Sequence, residues 1–127
     1  MPIISVSMDN ETLVELSHVE KSLGFSGRSE AVRAGVRSLI AENRELENLS
    51  GRVKAVLLLV HEEKAEGAAA GLSHRFEGII STQIHSNLKE GKCLEIFMLD
   101  GEASRVAGLV KAARTSRKIE NAKLVLP

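Results

Sequence analysis

The residues best suited to chemistry in this chain are a histidine and a cysteine in its second half. His85 and Cys93 are eight positions apart, and Asn87 follows His85 by two. Residues two apart on a β-strand share a face, so His85 and Asn87 are predicted to point the same way. A turn at Lys89–Gly91 would bring Cys93 back onto that face. A converging thiolate and imidazole suit nickel, copper, cobalt or zinc.

A second group of functional candidates lies at the start of the chain. The first residues alternate in polarity and predict a strand of about six residues. Its two faces would carry Ile4, Val6 and Met8 on one side, and Ile3, Ser5 and Ser7 on the other. Asp9 offers an N-cap to a helix that Gly24 would end. One strand and two helices cannot bury a core, so we expect two copies to pair their strands as an antiparallel ribbon. Such a ribbon fits the DNA major groove and would present Ile3, Ser5 and Ser7 to the bases.

The remaining hydrophobic pattern predicts an α+β chain of two domains. Residues 1–50 would form a βαα unit, with the second helix running from Arg28 or Ser29 to about Leu49 and a boundary at Ser50–Gly51. Residues 51–127 would form a ferredoxin-like βαββαβ domain. Its predicted strands are Val53 to Val60, Ile79 to Leu88, Cys93 to Leu99 and Lys123 to Leu126, and its predicted helices are Ala65 to Phe76 and Gly101 to Ser116.

Composition excludes several classes of function. The 127 residues carry no net charge, and neither half is a polybasic surface: residues 1–50 hold five basic and eight acidic residues, and residues 51–127 hold twelve and nine. The absence of Trp and Tyr argues against binding RNA or single strands on aromatic platforms. No apolar run approaches the roughly 20 residues of a membrane helix, and no secretory signal is evident. A single cysteine suits a reducing cytoplasm. No catalytic motif stands out, so we expect no enzyme activity.

The junction between the first two predicted helices resembles a known signature. The stretch Gly24–Arg33, GFSGRSEAVR, looks like that of ribbon-helix-helix repressors. The resemblance implies that Arg28 and Ser29 open a helix whose free amides hold a DNA phosphate. The predicted ribbon carries no Arg or Lys, so base specificity per half-site should be modest.

The whole chain resembles the nickel-responsive repressor (NikR) family. The similarity rests on the segment His74 to His85 and the run Lys92–Ile96, KCLEI. It implies a ribbon-helix-helix dimer joined to an ACT-type βαββαβ domain that forms a tetramer and holds nickel. It also implies the metal ligands His85 and Cys93, completed by His74 of a neighbouring subunit, and DNA phosphate contacts by Arg33 and Lys64.

The chain departs from that family at Asn87, where the family has a second histidine. Three interpretations stay open: a tetrahedral or trigonal ion with an outside fourth ligand, weak nickel binding, or a response to another small molecule. A family cation site is also in doubt, because Glu30 matches one of its acids but Ala34 stands at the other. His61, at a strand end, could join a secondary site.

These observations predict a metal- or ligand-responsive repressor. It would bind double-stranded operator DNA as a homotetramer, a dimer of dimers, in the cytoplasm and without a membrane. One alternative is a ribbon-helix-helix regulator whose second domain senses a non-metal small molecule. Another is an antitoxin-type interaction protein.

Overall fold

The computed structural model describes residues 1–127 and divides them into two compact units, Met1–Glu45 and Leu46–Pro127. The predicted boundary, Ser50–Gly51, lies just after the helix that runs across this division. None of the helices is long and apolar enough to span a membrane.

The first unit contains two helices, α1 (Asn10–Ser22) and α2 (Arg28–Glu47). Oδ1 of Asp9 accepts a hydrogen bond from the Thr12 amide at 2.7 Å, which confirms Asp9 as the N-cap of α1. Gly24 adopts a φ of 75°, a left-handed conformation that glycine reaches without steric cost, just after α1 ends. The start of α2 at Arg28 is as predicted.

The strand expected for Ile3 to Met8 is not formed in the single chain, and its formation by pairing with a second copy stays a prediction. Residues 1–9 adopt neither helix nor strand. The reason is that a strand needs a hydrogen-bonding neighbour, and the two helices offer none. The side chain of Ile3 is 95% exposed, so the segment is not packed into the interior of its own chain.

The first unit has almost no core of its own. Ala31 is its only buried residue. Six large apolar side chains on its two helices and one at the C-cap of α1, Leu23, are exposed; the six are Val14, Val19, Val32, Val36, Leu39 and Ile40. A unit of this size with so little apolar burial is not stable by itself.

The second unit is a four-stranded antiparallel sheet with two helices. Its elements are β1 (Arg52–Glu62), α3 (Glu66–Arg75), β2 (Ile80–Asn87), β3 (Lys92–Glu102), α4 (Ala103–Thr115) and β4 (Ile119–Val125). Short 3₁₀ turns, Glu63–Ala65 and Glu77–Ile79, flank α3. The strand order β2-β3-β1-β4 confirms the predicted ferredoxin-like arrangement. The fourth strand begins four residues earlier than predicted, since it pairs with β1 as far as His61.

The two faces of the sheet differ in what covers them. Residues of β1 alternate strictly, so that every second side chain from Val53 to His61 is buried. These side chains face α3 and α4, and Leu57, Leu59, Phe97 and Leu109 are completely enclosed between the layers. The opposite face carries no helix and is largely apolar, with Thr82, Ser86, Asn121 and Lys123 among its polar residues. It displays Val56, Leu58, Val60, Ile84, Leu94, Ile96, Met98 and Val125; we call these residues the open sheet face.

Candidate metal centre

Two of the three predicted metal ligands, His85 and Cys93, lie at one end of the helix-covered sheet face. Cys93 on β3 is the register partner of His61 on β1 and of Asn87 on β2. In the next row, Glu95 on β3 pairs with His85 on β2. The hairpin therefore brings His85, Asn87 and Cys93 onto one face, as their spacing predicts.

Cys93 is enclosed in this row. It is 1% exposed, and its Sγ lies 3.7 Å from Oδ1 of Asn87. Burial raises the pKa of the Cys93 thiol, and the negative charges of Glu63, Glu66 and Glu95 raise it further. The same negative potential favours a cation, and a bound cation would in turn favour the thiolate.

Glu95 connects the two histidines of the site. Its Oε1 lies 2.6 Å from Nδ1 of His85 and 3.3 Å from Nε2 of His61. Burial raises the pKa of Glu95, but hydrogen bonds from His85, Gln83 and His61 outweigh it, so the pKa lies below its ordinary value. The ionised carboxylate therefore accepts the Nδ1 proton of His85. Through this hydrogen bond and its charge, Glu95 raises the pKa of His85.

This hydrogen bond sets which nitrogen of His85 is available. With Nδ1 donating to Glu95, Nε2 is the atom left for a metal ion. Histidine ligands in metal sites are held in this way by a carboxylate on the other ring nitrogen. The side chain of His85 is 37% exposed, so the imidazole is within reach of an incoming ion.

A series of side-chain hydrogen bonds connects Glu95 to helix α3. Nε2 of Gln83 donates to Oε2 of Glu95 at 3.2 Å, and Ser73 Oγ donates to the side-chain oxygen Oε1 of Gln83 at 2.6 Å. His74, the residue after Ser73, lies apart from this network. Its side chain is 87% exposed and its ring approaches only the carboxylate of Glu77, at 3.9 Å. His74 therefore points outward from its own chain.

The donor set fits a transition metal in its chemistry, with a thiol and two imidazoles on one surface. As placed in a single chain, however, no three His, Cys, Asp or Glu side chains converge closely enough to hold an ion. The predicted ligands His85 and Cys93 are brought together, and His74 is not.

Sequence reasoning missed two residues of this site. Glu95 was not among the candidates, and His61 was considered only for a secondary site. Both residues could have been found from the two-residue alternation of β1 and β3. This alternation places His61 and Glu95 on the buried face with Leu59 and Phe97. A buried histidine and glutamate must have partners, and each is the partner of the other.

The residues predicted to bind DNA are all on the surface. Ile3, Ser5 and Ser7 lie in the exposed N-terminal segment, and Arg28, Ser29 and Arg33 are exposed on the first two turns of α2. Lys64 lies in the 3₁₀ turn after β1, where its Nζ pairs with Glu62 at 3.0 Å. Beside these residues, the Glu30 carboxylate accepts hydrogen bonds from the amide and hydroxyl of Ser26 and so fixes the α1–α2 turn.

Solved structures match the fold of the second unit. An ACT domain from the GTP pyrophosphokinase of Chlorobium tepidum aligns with a TM-score of 0.50 and 17% identity, over 59% of this chain and all of that one. An uncharacterized protein from Thermotoga maritima aligns with a TM-score of 0.55 and 18% identity, over 60% of this chain and 98% of that one. The second unit thus has an ACT-like fold.

Sequence comparison defines the family more closely. The domain described as "NikR C terminal nickel binding domain" matches residues 54–126. A "Putative nickel-responsive regulator" of Halobacterium salinarum is 31% identical over 92% of this chain and 84% of its own length. Another of that name, from Methanocella arvoryzae, is 26% identical over 95% of this chain and 89% of its own. The chain belongs to the nickel-responsive regulator (NikR) family. This is a family of metal-responsive transcriptional regulators and not of enzymes, which confirms the expectation that the protein has no catalytic role.

Proposed function

We propose that this protein is a metal-responsive repressor that binds double-stranded operator DNA. The observation that carries the proposal is the pair His85 and Cys93 on one face of the β2–β3 hairpin, with Nδ1 of His85 held by Glu95. In this proposal His85 and Cys93 hold a borderline transition ion, nickel by family and cobalt, copper or zinc by donor type. The ion would link the β2–β3 hairpin of one subunit to α3 of a neighbouring subunit, which carries His74.

The first unit is the DNA-binding part. Its exposed N-terminal segment has no partner within the chain, and its helices expose apolar side chains that a second copy can cover. Pairing of two copies gives a ribbon that presents Ile3, Ser5 and Ser7 to the major groove. The amides at the start of α2, with Arg28, Ser29 and Arg33, then receive the phosphates. Lys64 adds a further phosphate contact.

The second unit is the part that forms the tetramer. The open sheet face is a largely apolar surface, which a second copy of the same domain fits by symmetry. His74 points outward, so it can reach the centre of a neighbouring subunit but not that of its own chain. If the third ligand, His74, comes from a neighbouring subunit, a single chain is not expected to hold three converging donors.

A second candidate function is the sensing of a non-metal small molecule. A cleft of about 660 Å³ opens where β1 ends beside the β2–β3 turn, and it is lined by Glu62, Glu63, Lys64, Glu90, Gly91 and Lys92. Its carboxylates and ammonium groups suit a small polar ligand. The replacement of a family histidine by Asn87 favours this alternative.

The test of the proposed function pairs metal analysis with DNA binding. Untagged protein is analysed for bound metals, and its affinity for a mixed-sequence duplex pool is measured with and without each ion found and with nickel. Ser29→Glu places a carboxylate against a phosphate and should weaken binding to every duplex by about tenfold, or roughly 1.4 kcal/mol. Ser104→Glu is the matched control, since Ser104 is also exposed at the second position of a helix, α4. Equal affinity of the two variants, or DNA binding indifferent to every ion, would refute the proposal.

A further inference from the structure

The two helices of the first unit begin in different ways. At α1 the side chain of Asp9 accepts a hydrogen bond from the Thr12 amide, so the chain itself covers part of that helix start. At α2 the preceding residue is Gly27, which has no side chain to offer. The first backbone hydrogen bond of α2 runs from the Ala31 amide to the Gly27 carbonyl at 3.2 Å. The amides of residues 28–30 therefore lie ahead of the helix's own hydrogen bonding.

Glu30, the third residue of α2, turns away from these amides. One oxygen of its carboxylate accepts hydrogen bonds from the Ser26 amide, at 3.2 Å, and from the Ser26 hydroxyl. In the usual capping box, a glutamate at this position binds the amide of the residue just before the helix, which here is Gly27. Glu30 binds one residue earlier, so it ties the α1–α2 turn to the helix and leaves the three free amides uncovered.

The same carboxylate carries a negative charge at the place where the proposed DNA phosphate is received. Hydrogen bonds from Ser26 lower the pKa of Glu30, and the positive charges of Arg33 and Arg37 lower it further, so the group is ionised at neutral pH. The backbone amide of Glu30 is one of the three that would receive the phosphate, so its side chain lies close to that phosphate. Charges interact over about 8 Å at physiological salt, so this repulsion is only partly screened.

We propose that Glu30 is a positioning residue for DNA binding and that it acts in two opposing ways. As a hydrogen-bond acceptor, it holds Ser26 and hence the turn that directs the three amides of α2 at one phosphate. As a negative charge beside that phosphate, it makes DNA binding weaker than the same turn would otherwise allow. This inference rests on the proposed function, because it requires a DNA phosphate at the start of α2.

The test compares three variants of the full-length protein in the mixed-sequence duplex pool, under the metal condition that gives the wild type its tightest binding. Glu30→Gln keeps an acceptor without the charge, so affinity should rise about threefold. Glu30→Asp keeps the charge but is shorter by one methylene and loses the contact with Ser26, so affinity should fall about tenfold. Glu30→Ala keeps neither, and the two effects together should leave its affinity about threefold below that of the wild type.

Salt separates the two roles. The gain in Glu30→Gln is electrostatic and should shrink as the salt concentration is raised, whereas the loss in Glu30→Asp should persist. Glu42→Gln makes the same change of charge at an exposed position further along α2, so it is the control and should bind like the wild type. Circular dichroism checks that each variant is folded, and a gain in affinity cannot arise from unfolding.

An affinity of Glu30→Gln equal to or below that of the wild type would overturn the inference, and a fall would show that the charge favours binding, as in a cation ligand. The inference also fails if Glu30→Asp binds like the wild type, or if Glu42→Gln gains as much as Glu30→Gln. If Ser29→Glu weakens binding while all three Glu30 variants match the wild type, the proposed function survives and this inference alone fails. If the wild type binds no duplex, both fail.

Discussion

At the scale of single residues, the centre is defined by which histidine nitrogens are already engaged. Glu95 receives Nδ1 of His85 and faces Nε2 of His61, so one buried carboxylate orients two imidazoles. No buried side-chain nitrogen or oxygen in the chain lacks a partner. The hydrogen bond to Glu95 therefore fixes the orientation of His85 before an ion arrives, which reduces the cost of ordering this one ligand on binding.

Asn87→His tests this arrangement directly. The new imidazole would lie on β2 beside Cys93, and a histidine is a far better nickel ligand than a side-chain amide. We expect nickel affinity to rise by tenfold or more, about 1.4 kcal/mol, as measured by competition with a chelator of known affinity.

Asn48→His is the control for that experiment, since Asn48 is exposed and lies outside the sheet, just after α2. An Asn87→His protein that binds nickel no better than the wild type would show that the ion is not held by the β2–β3 hairpin.

At the scale of elements, short-range signals set the helices and long-range pairing sets the strands. Asp9 and Gly24 mark the limits of α1 by local backbone chemistry. The strands depend on partners: β1 has one on each side and extends over eleven residues, whereas residues 1–9 have none and form no strand. Gly101 shows a further long-range constraint, because a Cβ at that position would overlap Ile79.

The cap of α1 predicts a pH dependence. Hydrogen bonds from Thr12 hold the pKa of Asp9 below its ordinary value. A carboxyl whose pKa is lowered in the folded state contributes stability that is complete above the unfolded pKa, about 3.9. That stability is lost as the pH falls through the lower, folded pKa. Helix content by circular dichroism should therefore fall on acidification below about pH 4.

Asp9→Asn separates the charge from the cap. Asparagine keeps an oxygen acceptor for the Thr12 amide but does not titrate, so this variant should lose less helix on acidification than the wild type. Asp9→Ala should have less helix at neutral pH. Identical acid profiles for the wild type and Asp9→Asn would contradict the assigned role of the carboxylate.

At the scale of the whole molecule, both units present surfaces that one chain does not cover. The first has exposed apolar side chains on two helices, and the second has the open sheet face. In the proposed repressor, binding of an ion in the second unit favours one arrangement of the DNA-binding dimers. Linkage then requires that DNA tighten metal binding by the same factor, typically about 1–3 kcal/mol.

Ile84→Glu tests the assembly. Ile84 lies on the open sheet face opposite Ile96 and is half-exposed in the single chain, so a charge there should leave the fold of the domain intact. If the open sheet face is buried between two copies in the tetramer, burying the glutamate carboxylate there strongly disfavours assembly. Light scattering after size exclusion should show a tetramer for the wild type and a smaller species for the variant.

Lys111→Glu, an exposed change on α4, should leave the mass unchanged. A tetramer that persists in Ile84→Glu would place the interface elsewhere.

The sequence by itself determined the order of elements, the ferredoxin-like topology and the shared face of His85, Asn87 and Cys93. These follow from hydrophobic periodicity and from a tight turn, which act over short stretches of chain. Only the tertiary structure decided that His61 and Glu95 belong to the same site. His61 and Cys93 are 32 positions apart, and their meeting depends on the pairing of β1 with β3, a contact that no local pattern encodes. Neither decides the N-terminal strand, because in the proposed repressor its hydrogen-bonding partner would belong to a second chain.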